Sequence, residues 1–486
     1  MSLSGNAEIL NRPAARNTNS APAKSRKNQT AAMGASRPVV FVFMLATVLV
    51  AGCASTRLPA ETAARHQAQQ VGRKLRLPTG QPSLPELRPD SPPADFVLYA
   101  TLNHPAVAAA YFDWLAAVEA ITPARALPDP QLTFEADIAD TLMTFMPGVM
   151  FDLMSSGKRA AMGREAAATS QVAYRAYVAA VMGAAADTRK AWIELAYLDE
   201  AVRLKAGALD ALDQARALAE AGYATGRGMG TLENQSRLAN ADAKARTELA
   251  TLGDRRSALR ARFKSSLGLT SADPDPAWPN AALTVTVLPP AEELWQRIQA
   301  DNPGLAQMRA MVDMSLAGVA VARKSGTPDF TVGLMADLKA DPLMVRPTAS
   351  ATLPIWRDKI AATVAAARAK HDAAVARVNA EQLNLAAELA QMLYMVREAD
   401  RMIAYIDGTA LPNLGRISAS AEAGYETGMS GPAMIPETRL MALNMGRERV
   451  AALREREIAA ADLMLLTAAI APPGAPLLAE TAAPQP

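Results

Sequence analysis

The side chains that most often hold transition metals or carry out nucleophilic catalysis are almost absent from this sequence. Its 486 residues include one cysteine, Cys53, and three histidines, His66, His104 and His371. A metal site or a catalytic pair built from cysteine and histidine therefore has too few residues to form. The sequence also has no glycine-rich phosphate loop and no nucleophile with a fitting base. We expect no enzymatic activity, no cofactor and no metal centre.

The chemistry indicated for Cys53 is the attachment of a lipid. Residues 38–52 are an uncharged apolar run of about 15 residues, which is the length of a signal-peptide core and short for a membrane span. The run ends in VAGC at Cys53, which resembles a lipobox, where the signal peptide is removed and the cysteine thiol receives diacylglycerol. We predict a signal peptide over residues 1–52, with Met33 as an alternative start, and a lipid-anchored amino terminus. Ala54 favours the outer membrane; the alternative is a small buried cysteine in a short anchor helix.

Methionine thioethers offer one further kind of chemistry, because clusters of them bind Cu(I) or Ag(I). The chain has 23 methionines. Two groups are spaced closely enough to converge, namely Met143, Met146, Met150 and Met154, and Met308, Met311 and Met314. Neither group is accompanied by a cluster of histidine or cysteine. Flexible methionine side chains also fill gaps between packed elements, and we favour that interpretation.

The composition favours long helices over a bulky globular core. Hydrophobic residues make up 50% of the chain but aromatic residues only 5%, so alanine and leucine supply most of the apolar surface. The formal net charge of +2 gives no strong attraction for nucleic acid, and we expect none to bind. Residues 53–95 are rich in proline and are predicted to form an extended tether, and residues 471–486 a disordered tail.

The chain between these ends is duplicated, with repeat one over residues 96–290 and repeat two over residues 291–470. Short motifs recur in the same order about 200 residues apart. They are Asn103-His104-Pro105 and Asn302-Pro303, Pro128-Asp129 and Pro328-Asp329, Gly157-Lys158 and Asp358-Lys359, and AGYATG ending at Gly226 and AGYETG ending at Gly428. This period is far longer than that of a solenoid, so we expect one large unit to occur twice.

Each repeat combines a strand hairpin with a helical hairpin. Residues 131–155 and 330–355 alternate between apolar and polar side chains, which predicts strands with one apolar and one polar face. Tilted strands of this length can cross an outer membrane, although a soluble sandwich has the same pattern. Apolar residues at three- and four-residue spacing then predict antiparallel coiled-coil hairpins over 157–268 and 357–470. Pro412 and Gly415 mark a kink or a break in the second hairpin.

The lipobox, the duplication and the two kinds of hairpin together resemble the TolC-like family of outer-membrane efflux factors, from about residue 95 to residue 470. The most specific matches are the Tyr-x-x-Gly turns, Tyr223/Gly226 and Tyr425/Gly428, and the Asn-Pro motifs. The resemblance implies a mainly α fold with membrane β structure, in which a homotrimer joins a periplasmic α-helical barrel to a twelve-stranded transmembrane β-barrel. It also implies a passive exit duct for substrates delivered by a periplasmic adaptor protein and an inner-membrane transporter.

The resemblance further assigns roles to the turns at the helical tips. The residues implied to contact the adaptor are Tyr223, Gly226, Met229, Thr231, Leu232 and Glu233 in repeat one, and Tyr425, Gly428 and Ser430 in repeat two. Pro432 and Pro436 depart from the family pattern at the second tip. A three-fold ring of Glu437 would form a cation-selective pore constriction. The alternative is that Glu437 is an acidic residue favoured in the first turn of a helix.

Two other classes of protein share some of these features. A periplasmic adaptor lipoprotein has a helical hairpin, but usually one such hairpin flanked by compact β domains. A structural coiled-coil lipoprotein would lack the four alternating strands. The sequence leaves the transported substrate open between heavy-metal ions and organic compounds, because the inner-membrane pump of such a system usually selects it.

Overall fold

In the computed structural model of the protein, the described residues are 59–77, 84–138, 142–224, 232–280, 282–427 and 434–478. The predicted signal peptide and Cys53 lie outside these ranges. So do five of the residues predicted for the helical tips, namely Gly226, Met229, Thr231, Gly428 and Ser430.

The two repeats contain corresponding elements in the same order, and helix α1 (Pro59–Gly72) precedes them. Repeat one consists of α2 (Pro93–Asn103), α3 (Pro105–Glu119), α4 (Ile121–Arg125), β1 (Gln131–Ile138), β2 (Leu142–Leu153), α5 (Ser156–Ala224) and α6 (Leu232–Ser266). Repeat two consists of α7 (Ala291–Asp301), α8 (Pro303–Arg323), a 3₁₀ turn (Lys324–Gly326), β3 (Asp329–Asp337), β4 (Met344–Thr352), α9 (Arg357–Tyr405), a π-helical segment (Ile406–Ala410), α10 (Leu411–Glu426) and α11 (Met434–Leu466).

An asparagine fixes the short helices of both repeats to the end of the return helix. The side-chain amide of Asn103 donates to the carbonyl of Leu267 at 2.8 Å, and that of Asn302 donates to the carbonyl of Leu466 at 3.0 Å. Each bond spans 164 residues. Because carbonyl groups at a helix end lack partners within the helix, the amide satisfies one of them. This contact explains why the motif occurs once in each repeat.

The four strands form one antiparallel sheet in the order β1-β2-β3-β4. Leu132 pairs with Val149, Val149 with Leu334, and Leu334 with Pro347, so one face is apolar across all four strands. The large exposed residues of this face are Leu132, Phe134, Val149, Phe151, Leu153, Phe330, Val332 and Leu334. The opposite face carries polar residues, as the alternation in the sequence predicts.

The long helix α5 organises the packing of the subunit. It extends without interruption for 69 residues, which is about 100 Å at 1.5 Å per residue. It packs against its return helix α6 and also against α8 and α11 of repeat two. Two clusters of buried side chains surround its first half, one around Tyr177 and Trp114 and the other around Trp192 and Phe263.

The second long helix has one residue more than the first. Lys158 and Lys359, each the third residue of its helix, are 201 positions apart, whereas Tyr223 and Tyr425 near the tips are 202 positions apart. The π-helical segment Ile406–Ala410 lies between these points and accommodates the extra residue. The sequence predicts a kink or a break at Pro412, two residues after this segment. The structure shows a local change of helix type there rather than a broken helix.

Residues 59–72 correct the prediction of an extended tether over residues 53–95. They form α1, which packs on α3 with Ala64 and Ala68 buried. The prediction rested on the average composition of a long segment. That average conceals an alanine-rich stretch with no proline after Pro59, and such a stretch favours a helix.

A buried carboxylate fixes α1 to the body of the subunit. Glu61 is completely buried and accepts hydrogen bonds from Thr122 Oγ1 at 2.6 Å and from Arg125 Nε at 2.7 Å. Arg65, one turn further along α1, also donates to Thr122 Oγ1, at 2.8 Å. A charge in this position is stable only because it is paired and hydrogen-bonded.

The carboxyl-terminal segment corrects a second prediction, that residues 471–486 are disordered. Residues 471–478 pack on the core, where Leu477 contacts both buried clusters. The hydroxyl of Tyr177 donates to the carbonyl of Pro476 at 2.6 Å. Low-complexity composition indicated disorder, but two leucines give this segment enough apolar surface to dock. Residues 479–486 lie outside the described ranges.

Candidate functional site

The polar face of the sheet carries hydrogen-bonded side chains from several strands. Asp152 accepts from Thr331 Oγ1 at 2.6 Å and from Gln131 Nε2 at 3.3 Å. Thr144 Oγ1 donates to Asp137 at 3.1 Å. A sheet with one polar, hydrogen-bonding face and one exposed apolar face is suited to separate water from lipid.

Methionines on the polar face cover glycines of the neighbouring strand. Met150 pairs with Gly333, and Met335 pairs with Gly148. A Cβ atom added at Gly333 would lie 2.9 Å from Met150 Cγ, and one added at Gly148 would lie 2.5 Å from Met335 Cγ. The two methionines thus occupy the space that the glycines leave. For Met150 this is the gap-filling role that the sequence favours for the first methionine group.

The second methionine group lies on α8 and does not share one environment. Met311 is exposed, while Met308 and Met314 are half-buried. Within the described ranges, no three His, Cys, Asp or Glu residues are placed to hold a metal ion. His371 lies 3.1 Å from Ser315 Oγ, and His104 caps α3.

The described tip residues are exposed at the ends of the helical hairpins. Tyr223 lies near the end of α5, Leu232 and Glu233 begin α6, and Tyr425 lies near the end of α10. Exposed tyrosine and leucine side chains offer apolar contact area to another protein. The tips are therefore the ends of the molecule with the features of a docking surface.

The structure brings Glu437 into an ion pair that the sequence did not predict. Glu437 is half-buried in the first turn of α11, and its Oε1 atom accepts from Arg237 Nη2 of α6 at 2.9 Å. Arg237 also donates to Asn234 at 3.1 Å. The pair joins repeat one to repeat two near the tips. It partly neutralises the carboxylate that was considered for a pore constriction.

A second ion-pair network joins three helices further from the tips. Lys205 of α5 is almost completely buried and pairs with Glu248 of α6, and Arg447 of α11 lies 3.5 Å from the same carboxylate. The hydrogen bond from Lys205 holds the pKa of Glu248 below its ordinary value, although burial acts in the opposite direction. A signal for this network was present, because Lys205 occupies a position in the apolar seam of α5, where a charge needs a partner.

An open cavity of about 770 Å³ lies between the two helical hairpins. Its lining includes Lys205 and Glu248 of the ion-pair network, Tyr405 and Asn413 on either side of the π-helical segment, and Met441 of α11. The cavity is bounded by α5 and α6 on one side and by the second helical hairpin on the other, while α5 and α11 remain in contact beside it.

Comparison with known proteins gives two sequence matches. Residues 294–469, which cover most of repeat two, match the family model described as "Outer membrane efflux protein". The chain is 27% identical over 316 residues to the cobalt-zinc-cadmium resistance protein CzcC of Cupriavidus metallidurans. That match covers 63% of this chain and 73% of the relative.

Solved structures with the same fold include two outer-membrane proteins. VceC from Vibrio cholerae has a TM-score of 0.62 at 18% identity, over 78% of this chain and 95% of that chain. The open state of the MtrE outer membrane channel of Neisseria gonorrhoeae has a TM-score of 0.65 at 14% identity, over 78% of this chain and 89% of that chain. At these identities the comparison establishes a shared fold.

Proposed function

Since this chain belongs to the TolC-like family and is an outer-membrane channel component of an efflux system, we propose that it forms the passive exit duct of that system as a lipid-anchored homotrimer. The fold class predicted from the sequence is confirmed by these comparisons. The two alternative classes, a periplasmic adaptor and a structural coiled-coil lipoprotein, are set aside. The duct itself catalyses no reaction, and Cys53 carries the lipid.

The observation that carries this proposal is the open sheet with one exposed apolar face. In lipid, every backbone N–H and C=O group must be paired, and the described chain supplies no strand beside the outer edges of β1 and β4. Four strands are too few to close a membrane barrel, whereas three copies supply twelve. Closure would direct Phe134 and Phe151 toward lipid and Asp152 toward a water-filled interior.

The helical tips are the proposed contacts with a periplasmic adaptor, which connects the duct to an inner-membrane transporter. Exposed Tyr223, Leu232 and Tyr425 support this role, because they present apolar area at the free ends of the hairpins. Glu233 and the predicted tip residues outside the described ranges complete the proposed surface. The transporter supplies the energy, and the substrate moves through the duct passively.

We propose that the Arg237–Glu437 pair holds the tips closed within each subunit. It joins the return helices of the two repeats, so these helices can separate only if the pair breaks. A ring of three Glu437 carboxylates is the other proposed role of this residue. The two roles predict different currents when each partner is neutralised.

Planar-bilayer recording of Glu437→Gln and Arg237→Gln separates the two roles. If the pair is a closing contact, both variants raise the open probability to a similar extent. If Glu437 forms a charged constriction, Glu437→Gln lowers the preference for cations and Arg237→Gln raises it. Unchanged currents in both variants would contradict a role of this pair in the pore.

The overall proposal is tested on the mature protein purified in detergent. We expect light scattering to give the mass of a trimer and negative-stain images to show a particle longer than about 100 Å. Reconstituted protein should conduct ions across a planar bilayer. A compact monomer without conductance would contradict the duct.

The substrate is tested in cells that lack the chain. The name of the relative CzcC makes cobalt, zinc and cadmium ions the first substrates to examine, with organic compounds as the alternative. Loss of the duct should lower the tolerated concentration of one class and leave the other unchanged. Restored tolerance with the unsubstituted chain, but not with a variant lacking residues 131–155, would assign the effect to the duct.

A further inference from the structure

The long helix of repeat one is covered by repeat two, but the long helix of repeat two has no equivalent cover. α5 packs on α6 of its own repeat and on α8 and α11 of the other. α9 packs on α8 and α11 of its own repeat. The helices of repeat one that correspond to α8 and α11 are α3 and α6. In the described part of the subunit neither of them packs along α9.

Positions that are buried on α5 are exposed at the corresponding positions of α9. Met182 and Ile193 are 4% and 1% exposed, in a cluster that includes Ala461 of α11. Their counterparts 201 positions further on, Leu383 and Tyr394, are 74% and 52% exposed. Exposed apolar residues in such a row mark a surface that another molecule covers.

Lipid does not provide this cover. The strands end where α9 begins, and at 1.5 Å per residue Leu383 and Tyr394 lie roughly 40 and 55 Å along the helix from that point. The outer membrane is about 25 Å thick in its apolar part. The occupant is therefore a protein, and the internal repeat indicates which one.

The base of the long helices shows the same asymmetry in its charges. Lys158 of α5 donates to Asp329 at the start of β3 at 2.5 Å, which joins repeat one to repeat two. The corresponding residues are Lys359 of α9 and Asp129, which lies just before β1. Both are exposed, and neither forms an ion pair with the described residues. Each subunit thus has one positive and one negative side chain at these positions without an ionic partner among the described residues.

Lys359 stands in an open cleft of about 450 Å³ that is lined by apolar as well as charged groups. Ile355 and Trp356 form its apolar wall, and both are largely exposed. A neighbour that paired with Lys359 would therefore also cover apolar surface, which favours a protein contact over a free ion.

We propose that a second copy of this chain covers α9 with its α3 and α6, and that Lys359 pairs with Asp129 of the partner subunit. Within one subunit, α8 and α11 cover α5, and Lys158 pairs with Asp329 at its base. The proposed contact has the same arrangement, but its two halves belong to different subunits. The inference rests on the homotrimer proposed above and specifies which helices and which charges meet in it. The trimer then contains six similar junctions, three within subunits and three between them.

Cross-linking of paired cysteine variants with a bis-maleimide tests this contact. The full chain is purified in detergent with Asp129→Cys and Lys359→Cys together, and the matched control carries Lys158→Cys and Asp329→Cys. We expect products of two and three subunit masses from the first pair. The control pair should stay at one subunit mass because both cysteines belong to one chain. The single variants and the unsubstituted chain, which retains Cys53, should also stay at one subunit mass.

Native mass spectrometry of the same samples separates this contact from the proposed function. A trimer whose Asp129→Cys/Lys359→Cys variant does not cross-link overturns the contact and leaves the homotrimer intact. A monomeric mass for the unsubstituted chain overturns the homotrimer and this inference with it.

Charge reversal provides a second readout. Lys359→Glu should lower the temperature at which the trimer dissociates in detergent, and adding Asp129→Lys should restore most of the loss. Recovery in the double variant requires that the two side chains meet, because each reversal alone places like charges together. If the trimer of the double variant dissociates at a temperature no higher than that of either single variant, the proposed ion pair is contradicted.

Discussion

The two long helices of this subunit derive from the same repeated unit, yet one is continuous and the other contains a π-helical segment. In α5 the apolar seam runs through Leu209 and Leu212, and in the second helix it runs through Leu411 and Leu414, 202 positions further on. Before the π-helical segment the offset is 201, as for Leu195 and Val396. The segment therefore absorbs one residue and returns the seam to the same face. A helix can gain a residue without losing its packing partner if the extra residue is confined to one turn.

The largest effect is expected from deleting one residue at corresponding positions of the two helices. Deletion of Gly408 removes the extra residue, so the second helix becomes continuous and both halves of its seam stay aligned. Deletion of Gly207 turns the whole remainder of α5 by about 100° and directs its apolar face away from α6 and α11. We expect a stable trimer from the first variant and none from the second, as measured by native mass spectrometry.

This comparison contains its own control, because both variants lose a glycine from a long helix. A Gly408 deletion that abolished the trimer as completely as the Gly207 deletion would show that the π-helical segment itself is needed for assembly. The difference in register would then not be the explanation.

The next largest effect is expected from truncating corresponding side chains of the two long helices, one buried and one exposed. Met182→Ala should lower the free energy of unfolding of the subunit by roughly 2–5 kcal/mol, because the side chain is buried in the core. Leu383→Ala should change the unfolding of a separated subunit by less than about 0.5 kcal/mol. It should instead lower the temperature at which the trimer dissociates. Circular dichroism and unboiled gel electrophoresis measure the two quantities, and equal losses of subunit stability would contradict the comparison.

A smaller effect is expected at the ends of the return helices. Gly268 has a φ of +75°, and a Cβ atom there would lie 2.7 Å from the Cα atom of His104. Ala468 near the end of α11 has a φ of 55°, although alanine disfavours this conformation. Thermal unfolding should show that Gly268→Ala destabilises the subunit by about 1–2 kcal/mol and that Ala468→Gly stabilises it by about 0.5–1 kcal/mol. Changes of the same sign in both variants would contradict this reading of the two turns.

The smallest effect is a dependence on pH that only repeat one should show. His104 Nδ1 accepts from the Ala106 N–H at 3.1 Å and caps α3, whereas the amide oxygen of Asn302 caps α8. Burial lowers the pKa of His104 below its ordinary value of 6.5, and the charge of Asp187 opposes this shift weakly. The unfolded chain therefore takes up this proton at a higher pH than the folded chain does.

It follows that the contribution of His104 to stability is present above pH 6.5 and is lost as the pH falls through the lower, folded value. His104→Asn supplies a cap that does not titrate, like the cap of repeat two. Thermal unfolding between pH 7.5 and 5 should show a smaller loss for this variant than for the unsubstituted chain. Identical pH dependence in the two proteins would exclude His104 as the titrating group.

Most of the fold could be predicted from the sequence because its signals are local or repeated. Strict alternation gave the strands, and the seam spacing gave the long helices. The π-helical segment could also have been predicted from the sequence. The apolar seam residues after Ile406 are displaced by one position relative to the corresponding residues of α5, which indicates one extra residue. The prediction instead attributed the interruption to Pro412, which lies in the first turn of α10 and disturbs nothing there.

The candidate site was less predictable because its contacts join distant residues. Arg237 and Glu437 are 200 positions apart, and no local pattern marks them as partners. The docking of α1 depends on one buried carboxylate, Glu61. The alanine-rich sequence around Glu61 does not indicate whether this side chain is buried or solvated. The adaptor contacts at the tips stay a prediction.

The bond between Tyr177 and Pro476 has a consequence for the order in which the protein can mature. The two residues are separated by 299 positions, so the hydroxyl of the buried tyrosine gains its acceptor only after the segment 471–478 has docked on the core. All of repeat two has to be synthesised before that bond can form. The core of repeat one is therefore completed by residues that follow repeat two, and a chain cut short before Pro476 would leave part of both buried clusters uncovered.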